Sequence, residues 1–563
     1  MNPILNNIDF IARSPGGVTL LRKLILELAV RGKLVPQDPR DEPASVLLER
    51  IKREKARLVK EGKIKAGKEL PEIKEEEKPY ELPKGWEWVR LGEIGQITGG
   101  GTPKTDVADY WSDGEGIPWL TPADLYGFNA INISIGKRSI TKKGLEESSA
   151  QLLPPGTVLF SSRAPIGYVA IAQNLLATNQ GFKSCTPFIL EINRYLYYFL
   201  KARASEIDSS ASGTTFKELS GKEMSVIIVP LPPLPEQSRI VARVQELMAV
   251  LDRLEDQTNK TEEERNRALI AATQAVSQAA TPEEIASSWL RLATNLDRLV
   301  DRAEDVKTIR AMVLELAVRG KLVPQDPKDE PASVLLERIK REKARLVKEG
   351  KIKAGKELPE IKEEEKPFEL PRRWIWARLG EYCDVRDGTH DTPKYTMTGY
   401  PLVTSKNIYQ GILDLRNVNY ISQEDYRLIS QRSQVDEGDI LFAMIGSIGN
   451  PVIISTSEEF AIKNVALFKR YAKSIPNLMY LHTFLSASSK IMKESSSGGV
   501  QNFVSLTFLR EYLIPLPPLS EQSRILARVQ ELMAILDRLE EKLAARDKAA
   551  ALASESIIKM NQA

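Results

Sequence analysis

Few residues of this chain have the type and spacing for covalent chemistry, and each candidate fails on its own chemical terms. Residues 62–69, GKIKAGKE, have the glycine and lysine spacing of a phosphate loop, but Glu69 stands where a Ser or Thr must bind magnesium. A carboxylate there repels phosphate, no apolar strand precedes the run, and the same holds for its copy at Gly350. Glu72, Ile73 and Lys74 supply half of a nuclease carboxylate–lysine motif without a partner acid, inside a solvated charge run. His390, His482, Cys185 and Cys383 form neither a CxxC nor an HxxxH spacing, so no zinc cluster is predicted and each thiol reads as a buried apolar filler. Every Pro-Pro pair follows a Leu, which excludes the Asn/Asp-Pro-Pro-aromatic loop that holds a target base in methyltransferases. Both histidines lie in one half of the chain and suggest no acyl-transfer triad. Catalysis is not expected of this chain.

Length and composition bound the remainder. A chain of 563 residues with 42% apolar content allows about three or four domains with real cores. Eighteen apolar residues nowhere run together, and the first residues lack a basic start followed by an apolar stretch. With two distant thiols, this fits a cytoplasmic protein. The net charge is +3, from 79 basic and 76 acidic residues, so composition alone does not announce a nucleic-acid binder.

The informative feature is an internal repeat. The segment from Leu26 to Pro79 returns from Leu314 to Pro367 with one difference, Arg40 against Lys328. A second block, PLPPLPEQSRIVARVQELMAVLDRLE from Pro230 to Glu255, returns as PLPPLSEQSRILARVQELMAILDRLE from Pro515 to Glu540. In that block Ile240, Val244, Leu247, Leu251 and Leu254 step as a heptad seam, and Ile525, Val529, Leu532, Leu536 and Leu539 repeat it. The PLPPL run before each seam predicts an extended lead-in, because proline blocks a helix interior. Thr281 and Pro282 read as a cap and first helical position, ahead of Ile285, Trp289, Leu292, Leu296 and Leu299 at the same seam spacing. The stretch from Glu49 to Lys78, copied from Glu337 to Lys366, predicts one helix and then a mobile, solvated linker without an apolar face.

Two stretches between the copies diverge in detail but share a skeleton. Trp86 and Trp88 match Trp374 and Trp376, TPK at Thr102 recurs at Thr392, and PPGTVLFSSRAPIGYVAI from Pro154 parallels DEGDILFAMIGSIGNPVI from Asp436. Short apolar runs broken by Gly, Pro and Asn predict mixed strands and helices. Near-identical spacers holding two differently surfaced domains imply that the spacers set distance while the domains read different targets. On organisation alone, two DNA half-sites and two protein partners fit equally.

The repeated PLPPLPEQSRI lead-in to a heptad helix, the GTTFKELSGKEM stretch from Gly213 and the LELAVRGKLVPQDP block resemble the DNA-specificity subunits of type I restriction-modification systems, in a branch with long repeated segments. The resemblance spans essentially the whole chain; one departure is GGVQNFVSLTFL from Gly498, which lacks the GTT pattern. It implies an α+β chain: two mixed α/β target-recognition domains separated by two long antiparallel coiled-coil helices, with a pseudo-twofold internal repeat. The expected segments are a helical region and charged linker at 1–79, recognition domains at 80–229 and 368–514, a central helical region and linker at 230–367, and a C-terminal helix at 515–563. The implied partners are double-stranded DNA, two methyltransferase subunits and two motor-nuclease subunits, with no membrane. S-adenosylmethionine, ATP and magnesium would belong to those subunits, and no cofactor to this chain. The seam residues would serve the spacer on which partners dock.

Reading base edges calls for Arg, Lys, Asn, Gln and small hydroxyls on loops over a rigid sheet. Candidates are Lys104, Ser162, Arg163, Asn179, Gln180, Thr214, Thr215 and Lys217 in the first domain, and His390, Lys394, Lys406, Asn407, Ser447, Lys463, Asn464, Gln501 and Asn502 in the second. For any one of them a capping or plain surface role outweighs base contact. Both domains are close to neutral, so phosphate affinity would need charge gathered on one face, and binding without partners would be weak.

Overall fold

The computed structural model describes residues 8–67, 69–163, 165–211, 217–409, 411–471, 478–495 and 503–562. The chain divides into two compact units, residues 1–260 with 547–563, and residues 261–546. Each is a mixed α and β body.

In the first unit, helices α1 (Gly17–Val30) and α2 (Ala44–Lys60) precede a mixed α and β domain. Strand β1 (Glu87–Arg90) opens that domain, and β9 (Ile228–Leu231) closes it by pairing antiparallel, Glu87 opposite Leu231 and Arg90 opposite Ile228. Between them lie β2 (Gly95–Gly99), β3 (Ile117–Leu120), β4 (Arg138–Ile140), β5 (Val158–Ser162), β6 (Ile166–Ala172), β7 (Ala177–Thr178) and β8 (Lys183–Pro187). One sheet has the order β2-β8-β5-β6 with Asn132–Ile133 at its edge. A second has Trp111–Ser112, β4, β3 and β7, the last two parallel. All five residues of β5 are buried, as expected of an apolar central strand covered on both faces. Helix α3 (Asn193–Ser210) packs on β6, and its Tyr195 hydroxyl donates to the Pro230 carbonyl at 2.6 Å. The long helix α4 (Leu234–Gln278) follows β9 directly, so the proline run is half strand and half lead-in.

The second unit repeats this plan. Thr281 caps α5 (Pro282–Thr294) by accepting the Glu284 N–H, as the Thr-Pro pair predicts. The seam spacing predicts an unbroken helix beyond it, but α5 stops at Asn295 and Leu296–Leu299 form a separate short turn. Next come α6 (Asp305–Val318), α7 (Ala332–Lys348), β10 (Ile375–Arg378), β11 (Asp384–Asp387), β12 (Tyr400–Val403), β13 (Asn419–Ile421), β14 (Ile440–Ala443), β15 (Gly449–Ile453), β16 (Ala461–Ile462), β17 (Val465–Lys469), α8 (Met479–Glu494), β18 (Leu513–Leu516) and α9 (Leu519–Gln562). The two main sheets are β11-β17-β14-β15 and Tyr395–Thr396, β13, β12, β16, and β10 pairs with β18. Among the described residues no helix is long and apolar enough to cross a membrane.

The seam residues are interior. Ile240, Val244, Leu247 and Leu251 are buried and Leu254 half-buried, in a core with Leu21, Leu24 and Leu28 of α1 and with Ile558 near the end of α9. Ile525 and Val529 join the core of the second unit's mixed α and β domain. Leu532 and Leu536, with half-buried Leu539, share a core with Ile309 and Val313 of α6 and with Leu269 and Val276 of α4. The first seam is thus buried inside the first unit and the second inside the second. These side chains are occupied within the chain, as the seam spacing requires.

The charged segment is solvated, as its composition predicts, but its second half is anchored to the domain. Arg90, whose side chain is only 5% exposed, donates to the carbonyls of Pro71, Glu72 and Val226 and pairs with Glu77 at 2.8 Å. Arg378 does the same to Pro359, Glu360, Glu511 and Glu365. Backbone carbonyls, not an apolar face, dock this segment, and hydrophobic periodicity carries no trace of such docking.

Candidate nucleic-acid interface

In each of the two mixed domains, loops beyond the strand ends come together at the junction of the two sheets. The starting point is a close backbone approach. A Cβ on Gly100 would lie 2.0 Å from the Asn179 carbonyl, and one on Gly388 2.1 Å from that of Ile462, so glycine alone lets the loop pass the end of β7 or β16. The Gly101 N–H then donates to Thr178 (2.8 Å), and the Thr389 N–H to Ile462 (3.0 Å).

In the first domain this places Thr102 in hydrogen-bond contact with Gln180. The Asn179 side chain accepts the Gly181 N–H at 2.9 Å, shaping the β7–β8 turn, while Gln180 stays exposed. Ser162 donates its N–H to Gly181 and accepts the Leu219 N–H, tying three loops together. Lys183 reaches Ser162 Oγ (3.4 Å), the Gln180 carbonyl (3.3 Å) and Glu218 (3.3 Å), and Arg163 stands 3.9 Å from Glu218. Lys104 is exposed on the first loop, and Lys217 donates to the Asp208 carbonyl.

The second domain gathers a corresponding set with other side chains. Lys463 donates to Thr392, and Asn464 meets His390 Nδ1 at 3.0 Å. The other ring nitrogen bonds the buried Asp387 carboxylate at 2.9 Å, which Arg432 also engages. Asn464 sits at φ +54°, a left-handed backbone that asparagine tolerates better than most residues. Ser447 donates to the Ser405 carbonyl, and Ser405 to that of Asn464, both at long range. Lys394 and Lys406 are exposed nearby in sequence.

Two sequence candidates do not belong to a readout surface. Ser162 is fully buried and its hydroxyl faces Lys183, so no base edge can reach it. Asn407, 6% exposed, accepts the Thr404 N–H and hydroxyl and donates to Asp414 and Asn417, which makes it a turn cap. Thr214, Thr215, Gln501 and Asn502 lie outside the described residues. Thr102, Thr392 and Lys183 were missed as candidates. The repeated TPK carried the signal for the threonines, whereas Lys183 hides inside a strand pattern.

What results is two groups of exposed and half-buried amide, hydroxyl, imidazole and cationic groups on loops braced by sheet backbone. They present donors and acceptors in several directions, and their acids neutralise part of the local charge. Both domain thiols are buried, and burial pushes Cys185 up to about 12, well away from nucleophilic use.

A family model described as the type I restriction modification DNA specificity domain matches residues 83–264 and 371–546. The specificity subunit of the type I restriction enzyme EcoAI of Escherichia coli is 37% identical over 93% of this chain and 90% of its own length. That of EcoEI, also of Escherichia coli, is 32% identical over 94% of this chain and 91% of its own. A chain from a solved structure concerning complex assembly and conformational transition of the type I R-M system aligns with 86% of this chain and 99% of its own, at a TM-score of 0.49 and 18% identity.

Proposed function

The chain belongs to the family of type I restriction-modification DNA-specificity subunits, which are non-catalytic, and from that premise we propose that each of its two loop groups reads one half of a bipartite duplex sequence. The observation that carries this is the duplication itself: one backbone plan at 100–106, 162–163 and 179–183 and again at 388–394, 447 and 463–464, with different side chains at the tips. Identical readers would demand a symmetric target, whereas altered tips on one framework read two unlike half-sequences. Recognition domains at about 80–229 and 368–514 would be held by α4 and α9 running antiparallel as a coiled coil, giving the chain pseudo-twofold symmetry. That arrangement would let one polypeptide present two similar surfaces to two methyltransferase subunits, with two motor-nuclease subunits completing the cleaving form. S-adenosylmethionine, ATP and magnesium would act in those partners, and the assembly would work in the cytoplasm.

The test is a domain exchange read by methylation mapping. Residues 86–229 are replaced by the matching domain of a relative in a strain carrying the complete system, and modified sites are mapped genome-wide. One half-sequence should change and the other persist. If both change, or neither changes while the assembled protein stays folded, modular reading is wrong.

A further inference from the structure

A helix that the two diverged domains place alike carries different side chains where it meets the copied block. Helices α3 and α8 sit alike in their units: the Tyr195 and Tyr480 rings each stand 6.4 Å from Trp86 and Trp374, and their hydroxyls donate to Pro230 and Pro515 at 2.6 and 2.7 Å. Eight residues further along each helix the side chains differ. The first repeat has Arg203, 13% exposed, bonded to Glu27 (3.4 Å) and Glu206 (2.7 Å) and beside Tyr80. The second has Ser488, and there a cavity of about 940 Å³ opens, walled by Ser488, Glu315, Phe368, Trp376, Phe484 and Tyr512.

Part of the surroundings that receive Arg203 is retained, on the side of the first helix of the repeat. Glu315 is the counterpart of Glu27 and Arg319 of Arg31, in a block that is copied almost residue for residue. Glu27 accepts two guanidinium groups, Arg31 and Arg203, and is 18% exposed; Glu315 holds Arg319 at 3.1 Å and is 40% exposed. Phe368 replaces Tyr80, whose hydroxyl donates to the Val30 carbonyl, so the matching carbonyl of Val318 at the α6 C-terminus loses that donor beside the cavity. A helix C-terminus favours a cation. Other cations lining the space are matched, Arg310 by Asp537 and Glu540, Arg378 by Glu365 and Lys307 by Glu304, and Lys490 and Glu511 offset each other in sign. Where Glu206 stands in the first repeat, Ile491 is 57% exposed, so the rim is apolar.

We propose that this cavity is a socket for an arginine side chain of a partner polypeptide, which takes the place that Arg203 fills in the first repeat. A planar guanidinium suits a carboxylate flanked by aromatic rings better than an ammonium does. The volume and the apolar rim call for a polypeptide with apolar neighbours around that arginine, not a free small guanidine. The two repeats then differ at this one socket, while the surfaces of their copied blocks stay similar.

The probe is the tripeptide acetyl-Leu-Arg-Leu-amide, titrated into the full-length chain and followed by calorimetry and ligand-observed saturation-transfer NMR. One peptide should bind per chain, with the Lys analogue weaker by about fivefold or more. Ser488→Arg should abolish binding, and Glu315→Gln, which keeps the shape, should weaken it about tenfold. Arg203→Ser should open a second site and raise the stoichiometry to two. Failure of the folded wild-type chain to bind, or unchanged binding in folded Ser488→Arg, overturns the proposal. So does agmatine binding as tightly as the tripeptide, which would indicate a small-molecule site.

Discussion

Side chains that look alike in sequence divide sharply by what already occupies them. Asn407 has its amide consumed by four backbone and hydroxyl partners, whereas Lys463 and Asn464 spend only part of their capacity within the chain. Asn407→Ala should therefore lower unfolding free energy by about 1–3 kcal/mol in a denaturant titration and leave the methylated sequence unchanged. A Lys463→Ala, Asn464→Ala double variant should keep its thermal midpoint within a few degrees, yet reduce or relax methylation at one half-sequence while the other stays fully specified. A buried acid gives a second residue-scale outcome. Glu521, held by the Trp374 indole N–H (3.0 Å) and by Gln325 (2.7 Å), has its carboxyl pushed above the ordinary carboxylate range by burial. A folded value above the unfolded one contributes stability that is present below the unfolded pKa and lost as pH rises through the folded value. Glu521→Gln should flatten that slope in a series of melts across the acid range, and an unchanged slope would point to other groups.

Elements in this chain are held by two kinds of signal, one periodic and one not. The seams on α4 and α9 are heptads and announce themselves; the docking of 71–77 and 359–365 by Arg90 and Arg378 rests on single buried guanidinium groups. Arg378→Ala should free the segment around Pro359 and Glu360, because three carbonyls and Glu365 lose their donor together. Limited proteolysis should then cut between α7 and β10 at rates well above wild type, with a stability loss of about 2–4 kcal/mol. Cleavage no faster than in wild type would show that packing of the neighbouring Pro and Leu residues suffices.

At the scale of the molecule, both long helices pass from one compact unit to the other, α4 near Lys260 and α9 near Arg546. If they set the gap between half-sites, inserting one heptad into each at those points lengthens both by about 10 Å, at 1.5 Å per residue. With a base-pair rise of about 3.4 Å, the unspecified spacer should grow by up to roughly three base pairs while both half-sequences persist. Three added pairs also rotate the second half-site by about 100°, so a smaller increase or weaker binding fits the ruler as well. An assembled, active insertion variant that methylates at the original spacing rules it out.

The sequence by itself determined the duplicated order of segments, the heptad seams, the Thr281 cap and the specificity-subunit family, because each of these is written in local spacing or in near-verbatim repetition. It could not decide which candidates are free to touch DNA, since Ser162 and Gln180 are both polar loop-side residues until the sheets fold and one is buried. Nor could it reveal that the Lys/Glu-rich segments are docked, because a guanidinium bonding backbone carbonyls leaves no pattern in the side chains it holds. The cavity beside Ser488 is a further case: Arg203, Tyr80 and Glu206 give way to Ser488, Phe368 and Ile491, and only the tertiary packing of α8 against α6 brings those distant changes to one place.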